Sequence, residues 1–116
     1  MQKESSSSVR IFYPKYNKNS IIQKLKERIE YLNEKLPLTL VVLFGSYAKG
    51  NYSVSSDVDL MVIYKGEPKD EAYAIVKKTL SIPLLEPHVY SDGEYEILKE
   101  TIDRMIKDGV IIYQAL

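Results

Sequence analysis

The sequence has no cysteine and only one histidine among its 116 residues. The absence of cysteine excludes disulfide bonds, thiolate metal sites and a cysteine nucleophile. No apolar run approaches the roughly 18 residues that a membrane-spanning helix requires, and the first residues lack the apolar core of a secretory signal. We therefore expect no membrane association and a cytoplasmic location. The length suits one compact domain with its own core.

An excess of charge of one sign is also missing, because 16 basic side chains balance 16 acidic ones. The distribution is uneven: residues 1–35 hold eight basic and four acidic residues, and the remainder holds eight and twelve. The basic part, where Tyr13 and Tyr16 accompany Arg10, could attract a nucleic acid or an acidic partner. A solvated arm is the alternative. The profile lacks the strong basicity of a dedicated nucleic-acid binder, so a nucleic-acid partner stays open.

Hydrophobic periodicity and turn residues predict alternating helices and strands. We predict helices at about 21–36, with Ser20 as the N-cap, at 69–80 and at 92–108, and strands at 38–44, 57–64 and 84–90. The short apolar segment at 110–113 is either one more strand or packed coil. A flexible arm at 1–19, with a short strand at 9–13, precedes a domain at 20–116. The pattern predicts the α+β class: a mixed β-sheet with helices packed on one face.

Two aspartates, Asp57 and Asp59, stand one residue apart at the start of a predicted strand. Alternate residues of a strand point to the same face, so the two carboxylates should lie close together and repel each other. A divalent cation would relieve this repulsion, and oxygen ligands on a rigid strand suit Mg²⁺. A solvated strand end is the ordinary alternative for an Asp-x-Asp pair alone.

The small residues Gly45 and Ser46 end the apolar run at 41–44. Glycine lets a ligand approach the backbone closely. Ser46 offers a hydroxyl and an N–H at the predicted start of a short helix, where free N–H groups favour anions. Lys49 adds a positive charge one turn later. The segment can hold a triphosphate next to a carboxylate-bound metal, although Gly-Ser alone would be only a turn.

The joint pattern is more specific than its parts. Gly-Ser-Tyr-Ala-Lys-Gly at residues 45–50, followed by Ser-Asp-Val-Asp-Leu at 56–60, resembles the signature of the nucleotidyltransferase superfamily that includes DNA polymerase beta. Within it, the chain resembles the minimal nucleotidyltransferase (MNT) branch. The resemblance implies transfer of a nucleoside monophosphate from a nucleoside triphosphate to an acceptor, with release of pyrophosphate. ATP is the favoured donor, so AMP would be transferred.

The resemblance also implies roles for individual residues. Gly45, Ser46, Lys49 and Ser56 would bind the triphosphate, and Asp57 and Asp59 would bind two Mg²⁺ ions. Many members of the family have arginine at the position of Lys49, and lysine keeps the charge but loses the two-pronged hydrogen-bonding geometry.

A third acidic ligand from a neighbouring strand is usual in the superfamily, and the matching position is Glu86. An unpaired carboxylate in an apolar strand would be costly to bury, and a metal would relieve that cost. Asp is the usual residue there, and Pro87 suggests an edge strand or a bulge. An exposed strand end is the alternative for Glu86. His88 falls on the same face and could be a base, a ligand or a structural residue, while Tyr47 and Tyr52 could stack on a base or simply pack.

Two functional classes follow. The favoured one is a Mg²⁺-dependent nucleotidyltransferase with a partner protein among its potential acceptors. The alternative is a non-catalytic or weakly catalytic antitoxin that binds a HEPN-domain toxin, as some members of the MNT branch do. An antitoxin can also adenylylate its toxin, so the two classes overlap. The intact Ser-Asp-x-Asp motif at 56–59 favours retained chemistry.

Overall fold

The computed structural model describes residues 17–53 and 55–115. The elements in chain order are α1 (Lys18–Lys35), β1 (Leu38–Phe44), α2 (Ser46–Lys49), β2 (Val58–Tyr64), α3 (Ala72–Leu80), β3 (Leu85–Ser91), α4 (Asp92–Met105) and β4 (Val110–Gln114). The predicted strand at 9–13 and most of the predicted arm lie outside the described residues. None of the described helices is both long and apolar enough to cross a lipid bilayer.

The four strands form one sheet in the order β3-β2-β1-β4. The central strand β1 is antiparallel to both β2 and β4, whereas β2 and β3 are parallel. Parallel neighbours need a crossover connection, and α3 provides it. The predicted α+β class with a mixed sheet is confirmed.

The core lies on both faces of this sheet. On the first face, α1 and α3 pack against alternate residues of β1 and β2; the buried set includes Ile21, Leu25, Leu32, Val41, Leu43, Leu60, Val62, Val76 and Leu80. On the second face, α4 places Ile102 against a smaller cluster of buried residues, Val42, Phe44, Met61 and Ile63. The prediction that the helices pack on one face is therefore corrected. The reason is that β1 and β2 are apolar on both sides, as in strands buried on both faces, so a helix must also cover the second face.

Helix α1 begins three residues before its predicted start. Its N-cap is Asn17, whose side-chain oxygen accepts a hydrogen bond of 2.8 Å from the main-chain N–H of Ser20. The Ser20 hydroxyl accepts in return from the N–H of Asn17 at 2.9 Å. The predicted N-cap, Ser20, is thus the third helical residue of a reciprocal capping box. This extra turn brings Lys18 into the helix and next to α2.

Candidate active site

The turn after β1 depends on a glycine conformation. Gly45 has φ +77° and ψ −150°, a combination that only glycine adopts readily. Helix α2 follows at once and is capped at its C-terminus by Gly50, which has φ +83°. Two residues of this helix, Tyr47 and Ala48, are buried. The predicted short helix after Gly-Ser is present, with Ser46 as its first residue.

Gly45 also lies in close contact with the carboxylate of Asp59. The sheet register pairs Phe44 with Asp59, which brings the next residue, Gly45, alongside the aspartate side chain. A Cβ atom built on Gly45 would overlap Oδ2 of Asp59. Close approach to the glycine backbone was predicted for a ligand; the structure shows such an approach by a protein carboxylate.

The two aspartates differ in their settings. Asp59 lies within β2, and about 28% of its side-chain surface is exposed. Asp57 is exposed and precedes β2, which begins at Val58 rather than at the predicted residue 57. Val58 is buried in the core of the first face. The two carboxylates therefore flank a buried residue at the start of β2; Asp59 lies within the strand, and Asp57 is exposed to solvent.

Glu86 is the register partner of Asp59 across the parallel strands β2 and β3. Adjacent strands lie about 4.8 Å apart, and register partners point to the same face, so Glu86 emerges beside Asp59. Glu86 is exposed, and the following Pro87 is buried. The structure thus brings Glu86 to the neighbourhood where we predicted it, and its role as a metal ligand stays a prediction.

This register begins at a strained residue. Leu84, immediately before β3, has φ +62°, a left-handed conformation that costs non-glycine residues about 1–2 kcal/mol. Its carbonyl oxygen accepts a hydrogen bond of 2.8 Å from the N–H of Val58. This bond joins the starts of the two strands and sets Glu86 opposite Asp59.

Across residues 17–53 and 55–115, no three acidic, histidine or cysteine side chains are arranged so that they could hold a metal ion as they stand. Asp57 and Glu86 are both exposed, and exposed side chains change rotamer readily. Binding of a cation where β2 and β3 begin would therefore involve reorientation of these two carboxylates next to Asp59.

The remaining predicted ligands lie around the same turn. Ser46 is half-buried and Lys49 is exposed. Ser56 belongs to a tight turn, in which its hydroxyl accepts a hydrogen bond of 2.8 Å from the N–H of Ser53. Its own N–H donates to the Ser53 carbonyl at 3.1 Å. Triphosphate binding by Gly45, Ser46, Lys49 and Ser56 stays a prediction.

Two hydrogen bonds that the sequence did not predict join the start of α1 to α2 and to the residues after it. The Lys18 ammonium donates to the carbonyl oxygen of Ala48 at 2.8 Å, and the Lys18 main-chain N–H donates to the Tyr52 hydroxyl at 3.0 Å. The rings of Tyr47 and Tyr52 stack with 4.2 Å between centroids. Burial, and secondarily the neighbouring Tyr52, raises the pKa of Tyr47. These two tyrosines pack on each other, which was one of the two predicted alternatives.

The contact between His88 and Asp59 is a second one that the sequence did not predict. Its Nε2 lies 3.4 Å from Oδ1 of Asp59, and its ring is tilted against that of Phe44 with 5.1 Å between centroids. Strand alternation correctly predicted that His88 shares a face with Glu86. The contact with Asp59, 29 residues earlier, depends on the pairing of β2 with β3 and leaves no local signal.

The family model of the nucleotidyltransferase domain matches residues 17–113, which include every element of this site. The chain belongs to the nucleotidyltransferase family. The family predicted from the Gly-Ser and Ser-Asp-x-Asp segments is confirmed.

A relative of this nucleotidyltransferase in Methanocaldococcus jannaschii is named as a candidate protein adenylyltransferase. It is 45% identical over 49 residues, which are 41% of this chain and 48% of the relative. The match therefore spans about half the length of that protein.

Solved structures share the nucleotidyltransferase fold. A candidate nucleotidyltransferase from Sulfolobus solfataricus superposes with a TM-score of 0.57 and 24% identity, covering 84% of this chain and 83% of the other. A chain from the complex of a tri-AMPylated Shewanella oneidensis HEPN toxin with its MNT antitoxin gives a TM-score of 0.53 and 18% identity, covering 81% and 73%. At these identities the likeness is one of fold.

Proposed function

We propose that this nucleotidyltransferase transfers a nucleoside monophosphate, AMP from ATP, to an acceptor in a Mg²⁺-dependent reaction. The observation that carries the proposal is the meeting of two segments distant in sequence. Asp59 and Glu86 are register partners on one sheet face, and the Gly45 turn lies directly against Asp59. Such a meeting of carboxylates with a glycine turn suits a phosphate-handling site better than a structural role.

The chemistry of the donor set fits the implied metal. Asp57, Asp59 and Glu86 offer carboxylate oxygens, the ligands that Mg²⁺ prefers. These three residues would hold two ions, and the ions would neutralise the charge of the reacting phosphate. Asp59 is held in place by its neighbours, while the exposed Asp57 and Glu86 would adjust to the bound ions.

The turn between β1 and β2 would bind the triphosphate. The N–H groups around Gly45 and Ser46 can donate to phosphate oxygens, and Ser46 and Ser56 add hydroxyls. Lys49, exposed at the end of α2, would supply a mobile positive charge. The hydrogen bond from Lys18 to Ala48 would hold α2 in position while this turn binds the negatively charged triphosphate.

We further propose that the acceptor is a protein. The support is the name of the Methanocaldococcus jannaschii relative, a candidate protein adenylyltransferase, and the fold shared with a chain from a complex that contains an AMPylated HEPN toxin. A HEPN-domain protein is accordingly the partner to test first. The second candidate function is an antitoxin of the MNT branch that binds such a partner with weak chemistry or none, and the same fold likeness favours it.

Labelled ATP tests the reaction. The purified chain is incubated with Mg²⁺ and ATP labelled on either the α- or the γ-phosphate, in a lysate of the source cells. We expect one or a few proteins to take up the α label and not the γ label, and EDTA to prevent this. Labelling from the γ-phosphate alone would indicate phosphoryl transfer and would contradict the proposal. Recovery of an unlabelled HEPN-domain partner bound to the chain would favour the second candidate.

Replacing Glu86 by glutamine should separate chemistry from binding. We expect transfer to fall by about 100-fold, the typical effect of removing one electrostatic contact to a reacting centre. The affinity for Mg-ATP should stay within about threefold, because Asp57 and Asp59 would still hold an ion. The labelling rate and titration calorimetry measure the two quantities. Glu67→Gln, an exposed residue beyond the opposite end of β2, is the control, and equal transfer rates in the two variants would remove Glu86 from the site.

A further inference from the structure

The Asp59 carboxylate is confined on two sides. Its Oδ1 lies 3.4 Å from Nε2 of His88, and its Oδ2 lies so close to Gly45 that no Cβ would fit there. Within the described parts of the chain, His88 is the side chain that makes a hydrogen bond or ion pair with Asp59. The orientation of this carboxylate is therefore set by one polar contact and one steric contact.

His88 is itself held in place. It lies within β3, opposite Met61 in the register, and only 29% of its side-chain surface is exposed. The ring rests against Phe44, which is buried at the end of β1. A side chain fixed by a strand and an aromatic neighbour can hold its partner in turn.

The direction of the hydrogen bond follows from the chemistry of the pair. An ionised carboxylate only accepts hydrogen bonds, so Nε2 of His88 must be the donor. A carboxylate has about four acceptor sites, and one bond from histidine leaves sites on both oxygens. The contact can therefore orient Asp59 without using up its capacity to bind a cation.

We propose that His88 is a positioning residue, which holds the Asp59 carboxylate in the orientation required for a divalent cation. This inference rests on the proposed function of the site. Outer contacts of this kind orient ligands and commonly change metal affinity by about 10–100-fold. His88 acts through Asp59 in this arrangement and is not itself a ligand.

Two substitutions of His88 isolate the hydrogen bond. His88→Phe keeps a ring against Phe44 but removes the donor. His88→Gln offers an amide N–H at a similar reach to Nε2. We expect His88→Phe to weaken Mg²⁺ binding by about 10–100-fold and His88→Gln to stay within about threefold of the wild-type chain. Titration calorimetry with Mg²⁺ alone, at one fixed pH, measures this without any turnover.

A second metal distinguishes positioning from direct ligation. Imidazole binds Co²⁺ well, whereas Mg²⁺ prefers oxygen. If His88 only positions Asp59, His88→Phe should weaken Mg²⁺ and Co²⁺ binding by similar factors. If His88 were a ligand, the Co²⁺ affinity would fall much more than the Mg²⁺ affinity, and the proposal would be overturned.

A double-mutant cycle adds a check on the contact itself. In an Asp59→Ala background, His88→Phe should change the unfolding free energy without metal less than it does in the wild-type chain, because the partner of the hydrogen bond is gone. Urea unfolding without metal verifies that each variant is folded, and His88→Leu replaces His88→Phe if the latter is not. Wild-type Mg²⁺ affinity in a folded variant without the donor would defeat this inference alone. Absence of Mg²⁺ binding by the wild-type chain would contradict both this inference and the proposed function.

Discussion

Replacing Gly45 by alanine should abolish Mg²⁺ and nucleotide binding and destabilise the fold by about 1–3 kcal/mol. Two physical effects combine at this position. The backbone angles of φ +77° and ψ −150° are strained for any residue with a side chain, and the new methyl group would overlap Oδ2 of Asp59. Because β1 and β2 are paired in a buried sheet, the carboxylate must rotate away or the turn must shift. Either change would displace Asp59, the proposed metal ligand, from the turn proposed to bind phosphate.

Gly50→Ala is the matched control for this prediction. Gly50 also has a positive φ, +83°, but a Cβ there would meet no atom within 4 Å. We expect a loss of stability of about 1 kcal/mol from backbone strain alone and an unchanged Mg²⁺ affinity. Urea unfolding gives the stabilities, and calorimetry gives the affinities. Equal Mg²⁺ affinities in folded Gly45→Ala and Gly50→Ala would show that contact between the turn and Asp59 does not matter for the site.

Much of the fold follows from local patterns in the sequence. The apolar runs at 38–44 and 58–64 are too short for helices and are bounded by Pro37, Gly45 and Gly66, so they predict strands. The same runs are apolar on both faces, and this feature could have shown that helices must cover both sides of the sheet. The sequence did not show which face α4 would cover. Helix α4 follows β3 directly through Ser91, and this connection allows the helix to pack on either face.

Part of the candidate site also follows from local sequence patterns, and the rest depends on contacts between residues distant in the chain. The sequence predicted a phosphate-binding turn at Gly45 beside a metal held by Asp57 and Asp59, and the structure places Gly45 against Asp59. Glu86 depends on the parallel pairing of β3 with β2, which element order suggested and the family resemblance supported. The contacts of Lys18 with Ala48 and of His88 with Asp59 join residues 30 and 29 positions apart. They depend on helix placement and strand register, which no short pattern encodes.

Asp59→Asn should abolish transfer and Mg-ATP binding while leaving the chain folded. The substitution keeps the size of the side chain, so its contact with Gly45 is preserved, and the amide oxygen can still accept from His88. It removes the negative charge that would hold the cation. We therefore expect a loss of transfer beyond the roughly 100-fold typical of an outer contact, with a change in unfolding free energy within about 1 kcal/mol.

Asp57→Asn should reduce transfer to a similar degree, because it also removes a negative charge that would hold the cation. Asp57 is exposed and lies outside β2, so its replacement should leave stability unchanged within about 0.5 kcal/mol. Calorimetry with Mg-ATP and the α-label assay measure both aspartate variants, and Asp70→Asn, exposed before α3, is the control for loss of one negative charge. Unchanged Mg-ATP affinity in Asp57→Asn and Asp59→Asn would remove both carboxylates from the site. Loss in Asp59→Asn alone would instead indicate a single ion held by the anchored carboxylate, because the exposed Asp57 would then contribute no bond to it.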